Sequence, residues 1–246
     1  MQKPKIFVHQ FDFDEIASTM DEATKKVDEG FIDGLVVTAR KQTLGRGRSG
    51  KSFSSPKDQG LWVTLGIATN KEDSPFQQIK TFSVAMAALL NQDYEIKAKI
   101  KWPNDIFHNN KKIAGILIEN AVKGNQLLHS VAGIGLNVNQ QQFPSHLSHA
   151  TSMRIMAGKE LDMKKVQDVL CEKTEYRYLQ LKSDRIEELQ KDYMKLLYRV
   201  LEECVYRANG VRFNAKIVGL TAEGKLILQT GGEQEVYGFK EVEMVL

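Results

Sequence analysis

Apolar residues recur along this chain with two periods, and the changes of period mark its elements. In IASTMDEATKKVDEG the spacing is helical, with Ser18 at an N-cap position, acidic residues in the first turn and Gly30 at a C-cap position, so a short helix is predicted. At 34–40 the pattern becomes a β-branched apolar run and predicts a strand, as does LWVTLGI at 61–67. Ser74 and Pro75 supply the N-cap and first position of a helix reaching about Asn91, with FSVAMAALL as its buried stretch. YEIKAKIKW alternates apolar and charged residues like a half-exposed strand, and Pro103 ends it.

The segment NDIFHNNKKIAGILIEN predicts a hairpin turning at His108 to Lys111. Its second arm, IAGILIE, is continuously apolar, so burial on both faces is expected; LLHSVAGIGLNVN reads the same way. Gln, Ser, His and Pro dominate 138–152, which predicts a loop. Two helices follow at about 162–182 and 184–203, and in the second Ile186, Leu189, Tyr193, Leu196, Val200 and Leu201 keep one face apolar. The last forty or so residues break into short strands at Glu223-Gly224 and Gly231-Gly232. The fold class expected is α+β: residues 1–205 as a mixed β-sheet packed with helices, and 206–246 as a small β-barrel or meander.

Composition narrows the function. With 246 residues, 42% of them hydrophobic, the chain can bury a sizeable core. No apolar run approaches the roughly eighteen residues of a membrane helix, and MQKPKIFVHQ lacks the apolar stretch of a signal peptide, so the expectation is a cytoplasmic protein. A net charge of +3 does not by itself argue for nucleic acid. Cys171 and Cys204, both in segments read as helical, are expected to be reduced thiols rather than a disulfide framework. His146 and His149 are spaced for a metal pair but have no cysteine or carboxylate partners nearby in sequence.

GRGRSGKS at 45–52 satisfies every fixed position of the phosphate-binding pattern G-x-x-x-x-G-K-[ST]. A phosphate cradle of that kind must open a helix, yet Pro56 and Gly60 interrupt any helix here and LWVTL follows. The loop still places Arg46 and Arg48 among glycines, which suits bidentate capture of a carboxylate or phosphate; the alternative is an exposed basic loop without a ligand. In KAKIKWPND, Lys97, Lys99 and Lys101 share a strand face, either simply solvated or ending in a point charge at Lys101, fixed by the turn that Pro103 imposes. Gly115, Gly133 and Gly135 interrupt apolar strands, as bulges do or as a platform for a flat ligand does, with Asn137 at the rim. Ser18 and Thr19 open a helix, a structural cap that also suits an anionic or carbonyl group.

Taken in order, ST at 18, ARKQTLGRGRSGKSF at 39–53, KWPND at 101–105, KIAGILIE at 112–119 and GIGLNVN at 133–139 resemble a biotin protein ligase, the biotin–[acetyl-CoA-carboxylase] ligase type. The resemblance runs through nearly the whole chain and is strongest from about 15 to 140. It implies a catalytic domain like that of the class II aminoacyl-tRNA synthetases with a C-terminal SH3-like barrel. It implies ATP and Mg2+ as co-substrate and activator, biotin as substrate, and a biotin carboxyl carrier domain as partner. By the same resemblance Ser18, Thr19, Gln42 and the backbone of Gly45 to Gly47 hold biotin, and Gly115, Gly133 and Gly135 admit its rings. Arg46 and Arg48 close over carboxylate and phosphates, Lys101 stands between carboxylate and α-phosphate, Lys112 lies near the phosphates and Asn137 touches the adenylate or its magnesium. Catalysis is thus assigned to Lys101 and Arg48, with no metal ligand assigned to the protein.

Met20 stands where such ligases often have Asn, and Phe53 where they often have Trp. Nothing ahead of these motifs suggests a winged helix, so a short class without DNA binding is expected, with no membrane partner and homodimerisation by analogy alone. Lipoate ligases and octanoyl transferases share the fold, but usually carry a Gly-Gly-Gly run and a histidine near the loop that this chain lacks. A non-catalytic biotin- or carrier-binding protein is the other rival, and it would not need Arg48 and Lys101.

Overall fold

The computed structural model describes residues 6–47, 53, 55–69, 73–124, 126–183 and 185–246. Seven strands form the main sheet: β1 (His9–Ile16), β2 (Leu35–Gln42), β3 (Gly60–Ala68), β4 (Ala98–Lys101), β5 (Asp105–His108), β6 (Lys111–Lys123) and β7 (Gln126–Asn137). Their spatial order is β1-β2-β3-β7-β6-β5-β4, with β1 parallel to β2 and the other pairs antiparallel. Five helices accompany it: α1 (Thr19–Asp28), α2 (Pro75–Ala88), α3 (Met153–Ala157), α4 (Met163–Leu181) and α5 (Ile186–Leu196). The C-terminal strands β8 (Glu203–Ala208), β9 (Val211–Leu220), β10 (Leu226–Thr230), β11 (Glu233–Tyr237) and β12 (Val242–Met244) form a separate antiparallel sheet, ordered β11-β10-β9-β8-β12. The α+β class is as the patterning predicted, and no helix among the described residues is long and apolar enough to cross a membrane.

The two faces of the main sheet do different work. One carries Val36, Val63, Leu65, Ile67, Ile116, Ile134 and Leu136 into a core shared with α2, α4 and α5. The other is covered by α1 over only part of its area, where Met20, Ala23 and Val27 pack on Leu35, Val37 and Val131. Beyond α1 that second face is open, and the site lies there. This arrangement corrects the expectation that IAGILIE is buried on both sides: Ile113, Ala114 and Ile116 are buried, whereas Gly115 and Leu117 look into the open region. Its apolar run serves a core on one face and a cavity floor on the other.

Other departures have local causes. The last helix ends at Leu196 rather than near 203, because Leu197 and Tyr198 pair with the backbone of Ile100 and Arg199 and Leu201 take positive φ of 56° and 64°. Leu201, assigned to the apolar face, is exposed as a result. Cys204 lies on strand β8, buried, not on a helix. Strand β1 had no predicted counterpart, since it is an edge strand with most positions exposed.

One buried group opposes the fold. Lys80 of α2 is 6% exposed, its Nζ donating to Gln190 Oε1 at 2.6 Å and lying 5.2 Å from the Phe76 ring, and burial lowers its pKa from the ordinary 10.5. The unfolded chain therefore binds more protons between the lowered value and 10.5, and stability rises with pH through that window. Lys80→Met is expected to raise stability at pH 7 by about 1 kcal/mol, or roughly 2–4 °C in Tm. Thermal denaturation against pH should show the gap to wild type narrowing as pH approaches 10.5; a gap that stays constant would argue against a desolvated ammonium.

Candidate active site

Strand register builds the site. Lys101 pairs with Asp105, Asp105 with Gly115, Gly115 with Gly135, Gly135 with Trp62 and Trp62 with Ala39, so one row crosses six strands on the open face. A lysine and a carboxylate stand at one end of the row, an indole at the other, and two residues without side chains lie between. The next row over places Thr64 opposite Gly133 and Gly133 opposite Leu117. Above these rows is a cavity of about 930 Å³, whose walls include Ser18, Thr19, Met20, Gln42, Arg46, Gly47, Lys101, Lys112, Gly115, Gly133, Gly135 and Asn137. Sequence positions spread over 120 residues are thus brought together. Gly45 stays outside the cavity wall, where a side chain would meet the Phe53 carbonyl at 2.4 Å, so its bare backbone serves loop packing. Arg48 lies outside the described residues.

At the α1 end the lining is neutral and ordered. Ser18 Oγ caps the helix by accepting from the Met20 N–H at 3.2 Å. Thr64 donates to the Thr19 hydroxyl at 2.9 Å, and Thr19 donates through both its hydroxyl and its backbone N–H to Gln42 Oε1, at 3.0 and 2.7 Å. With Oε1 doubly occupied, the Gln42 amide nitrogen is the group left to donate into the cavity. Met20 lies over Gly133, where an added Cβ would fall 2.5 Å from its sulfur, and Phe53 lies over Gly135 at 2.9 Å and meets Trp62 edge-on. The two glycines therefore clear a slot that the Met20 and Phe53 side chains fill in this structure.

The other end is cationic and held by its surroundings. Lys101 leads into a turn pinned from three sides: Tyr193 of α5 donates to the Pro103 carbonyl at 2.7 Å, Trp102 Nε1 donates to the Gly224 carbonyl at 3.0 Å, and Asn104 donates to the Ile116 carbonyl. Trp102 also stacks on Phe239 of the C-terminal sheet, with centroids 5.1 Å apart. Lys101 Nζ sits 3.4 Å from the Met244 carbonyl and 5.5 Å from the centre of the Phe107 ring. Beside it Lys112 and Asp105 form an ion pair at 2.6 Å, each side chain 34% exposed. Arg46 is held at the rim by Asp21 and Glu119, at 3.0 and 3.2 Å, so it must exchange partners to bind an anion. After the Gly/Arg loop, residues 57–59 form a turn into β3, and no helix opens there among the described residues, which removes the structural basis for a P-loop.

Several groups in the cavity wall or buried behind it were not singled out from sequence. Thr64 and Trp62 lie two residues apart on β3 opposite Gly133 and Gly135, a pairing visible only once the register is known. The 138–152 loop is more than a connector: Gln140, 2% exposed, donates to both Asn137 Oδ1 and Ser55 Oγ. His146 and His149 reach the cavity wall, and no cluster of three or more His, Cys, Asp or Glu suited to a metal occurs among the described residues.

Fold and cavity define a ligand-binding α+β protein whose site joins a neutral polar pocket to a cationic one. A model of the biotin/lipoate A/B protein ligase family matches residues 14–137. The bifunctional ligase/repressor BirA of Bacillus subtilis is 32% identical over 240 residues, covering 93% of this chain and 72% of that protein. The biotin–[acetyl-CoA-carboxylase] ligase of Mycobacterium tuberculosis is 28% identical over 223 residues, covering 86% and 79%. Among solved structures, the biotin protein ligase from Aquifex aeolicus in complex with biotin and ATP has a TM-score of 0.81 at 24% identity, covering 97% of this chain and 99% of that one, a likeness of fold. The chain belongs to the biotin/lipoate A/B protein ligase family.

The slot gives a direct structural test. Gly133→Ala places a methyl group against Met20, whose flexible thioether must move, and is expected to destabilise the protein by about 1 kcal/mol. In a Met20→Ala background, itself destabilised by the loss of a buried side chain, Gly133→Ala should cost far less than it does in wild type; an equal cost in both backgrounds, read by thermal denaturation, would mean that Met20 is not the obstacle.

Proposed function

We propose that this protein is an ATP-dependent biotin protein ligase that activates biotin as biotinyl-5′-adenylate and transfers it to a lysine of a biotin carboxyl carrier domain. The row from Lys101 through Gly115 and Gly135 to Trp62 is the observation that carries this reading. It fits a flat neutral acid, lying on bare backbone, whose carboxylate points toward cations. The relatives named above act as biotin ligases, and the family membership of the chain supports the same chemistry here.

In the first step a carboxylate oxygen of biotin attacks the α-phosphorus of ATP; the bond to the bridging oxygen breaks and pyrophosphate leaves. In the second the ε-amine of the carrier lysine attacks the acyl carbon, AMP leaves with the bridging oxygen, and the amine gives up a proton. Neither step needs a protein nucleophile, so the protein's contribution is to bring anions together and stabilise developing charge. In this reading Thr19, Gln42 and Ser18 take the polar edge of the rings, and Gly115, Gly133 and Gly135 admit their face. Lys101 stands between carboxylate and α-phosphate. Arg46 and Arg48 neutralise carboxylate and phosphates, Lys112 lies beside the phosphates, and Asn137 contacts the adenylate. Magnesium would enter as a companion of ATP, neutralising charge on its phosphates.

Pyrophosphate release with ATP and magnesium tests the reading, with biotin, lipoate and octanoate compared as the acid. Release is expected with biotin alone, and Lys101→Ala should lower it by about 10²–10³-fold with the Tm little changed. Release with none of the acids, from folded protein, would overturn the reading; substantial activity in Lys101→Ala would remove that lysine from the mechanism.

A further inference from the structure

Asn137 ends β7 at the cavity wall, and its amide is oriented by its neighbours. Its Nδ2 donates to the Thr151 carbonyl at 3.0 Å, which turns Oδ1 toward Gln140. Gln140 must then present its nitrogen, and it does: Nε2 donates to Asn137 Oδ1 at 3.0 Å and to Ser55 Oγ at 2.8 Å. The reverse orientation would set two carbonyl oxygens against each other. Both protons of the Gln140 amide are thereby spent, while its Oε1 is buried without a partner. The backbone beneath it is fixed as well, since Ser152 donates to the Gln140 carbonyl and the N–H groups of Val138 and Asn139 both donate to the Gln59 carbonyl. Gly60 makes this meeting of segments fit: a Cβ there would lie 2.9 Å from Ser55 Oγ and 3.4 Å from Gln140 Nε2.

We infer that Gln140 is a positioning residue for adenylation, transmitting the Thr151 carbonyl's choice of Asn137 orientation to the Ser55 stem of the Gly/Arg segment. Through it, Asn137 keeps one amide proton and one lone pair for a ligand, and the stem is held against the start of β3. The inference rests on the ligase reading for its kinetic consequences, but not for its structural ones. A lost tie should be felt by the nucleotide more than by the acid, because Thr19, Gln42 and Thr64 belong to a separate hydrogen-bonded group.

The test uses the full chain with Gln140→Glu, Gln140→Met, Ser55→Ala and the Gln140→Met/Ser55→Ala double variant. Wild-type pyrophosphate release is measured first, which judges the ligase reading by itself. Gln140→Glu and Gln140→Met are expected to raise KM for ATP about tenfold and leave KM for biotin within about twofold; Ser55→Ala should give a smaller rise in the same parameter. Independently of activity, amide hydrogen exchange of residues 57–60 in ligand-free protein should speed up in Gln140→Met and in Ser55→Ala, with no further increase in the double variant. Equal rises in both KM values, unchanged exchange in either single variant, or additive exchange in the double would each overturn the positioning role.

Discussion

The register of the main sheet is the constraint on which the site depends. Side chains alternate between faces with period two, so a slip of one residue between β6 and β7 would carry Gly115 or Gly135 to the packed face and put an isoleucine or leucine in the slot. The packed face resists such a slip, because Ala114, Ile116, Ile134 and Leu136 are all nearly inaccessible there. Burial on one side therefore aligns the chemistry on the other. The same logic explains why glycine is tolerated in two adjacent central strands: the main core lies on the opposite face, and only Gly133 sits under the smaller α1 core, where Met20 covers it.

The C-terminal sheet belongs to this argument, since it braces the cationic end. Trp102 reaches it through a hydrogen bond to Gly224 and a stack on Phe239, and Phe76 of α2 packs against that same aromatic and against Tyr193. Gly224 has a positive φ of 84°, and a side chain there would run into Phe76 at 2.2 Å, so the close approach of turn and helix requires it. Tyr193 is wholly buried, and burial pushes its phenol well above the ordinary range, which keeps it a neutral donor to Pro103. The turn that follows Lys101 is consequently held by α5, by β6 and by the turns of the C-terminal segment together.

Much of this was legible in the sequence where one residue type has one physical use. Ser18, Ser74 and Pro75 announced helix starts, Gly115, Gly133 and Gly135 announced a strand face without side chains rather than the bulges that were the alternative, and the alternation before Pro103 announced a strand end. What could not be read was anything set by partners distant in the chain. Thr64 and Trp62 look like ordinary strand residues until β7 lies beside them, and Gln140 looks like loop filler until Ser55 and Asn137 bracket it. The end of α5 failed for a related reason, because apolar periodicity continues through Val200 while backbone pairing with Ile100 takes the chain away. Arg46 marks a further limit: its charge was evident, but its present carboxylate partners were not.

The two halves of the cavity solve different recognition problems. Thr19 and Thr64 are 3% and 0% exposed and already hydrogen-bonded to each other and to Gln42, so this end presents buried, preoriented neutral groups whose rearrangement would leave polar atoms unpaired away from water. In the proposed reading an acid with a urea on its ring satisfies the Gln42 amide, whereas one bearing only a saturated chain or a disulfide ring does not, a difference of the kind worth several orders of magnitude. Lys112 and Asp105, by contrast, remain a third exposed, where ions keep their charge and can exchange partners at modest cost. On that reading selectivity for the acid resides in the dry pocket, and tolerance of a changing phosphate charge in the wet one.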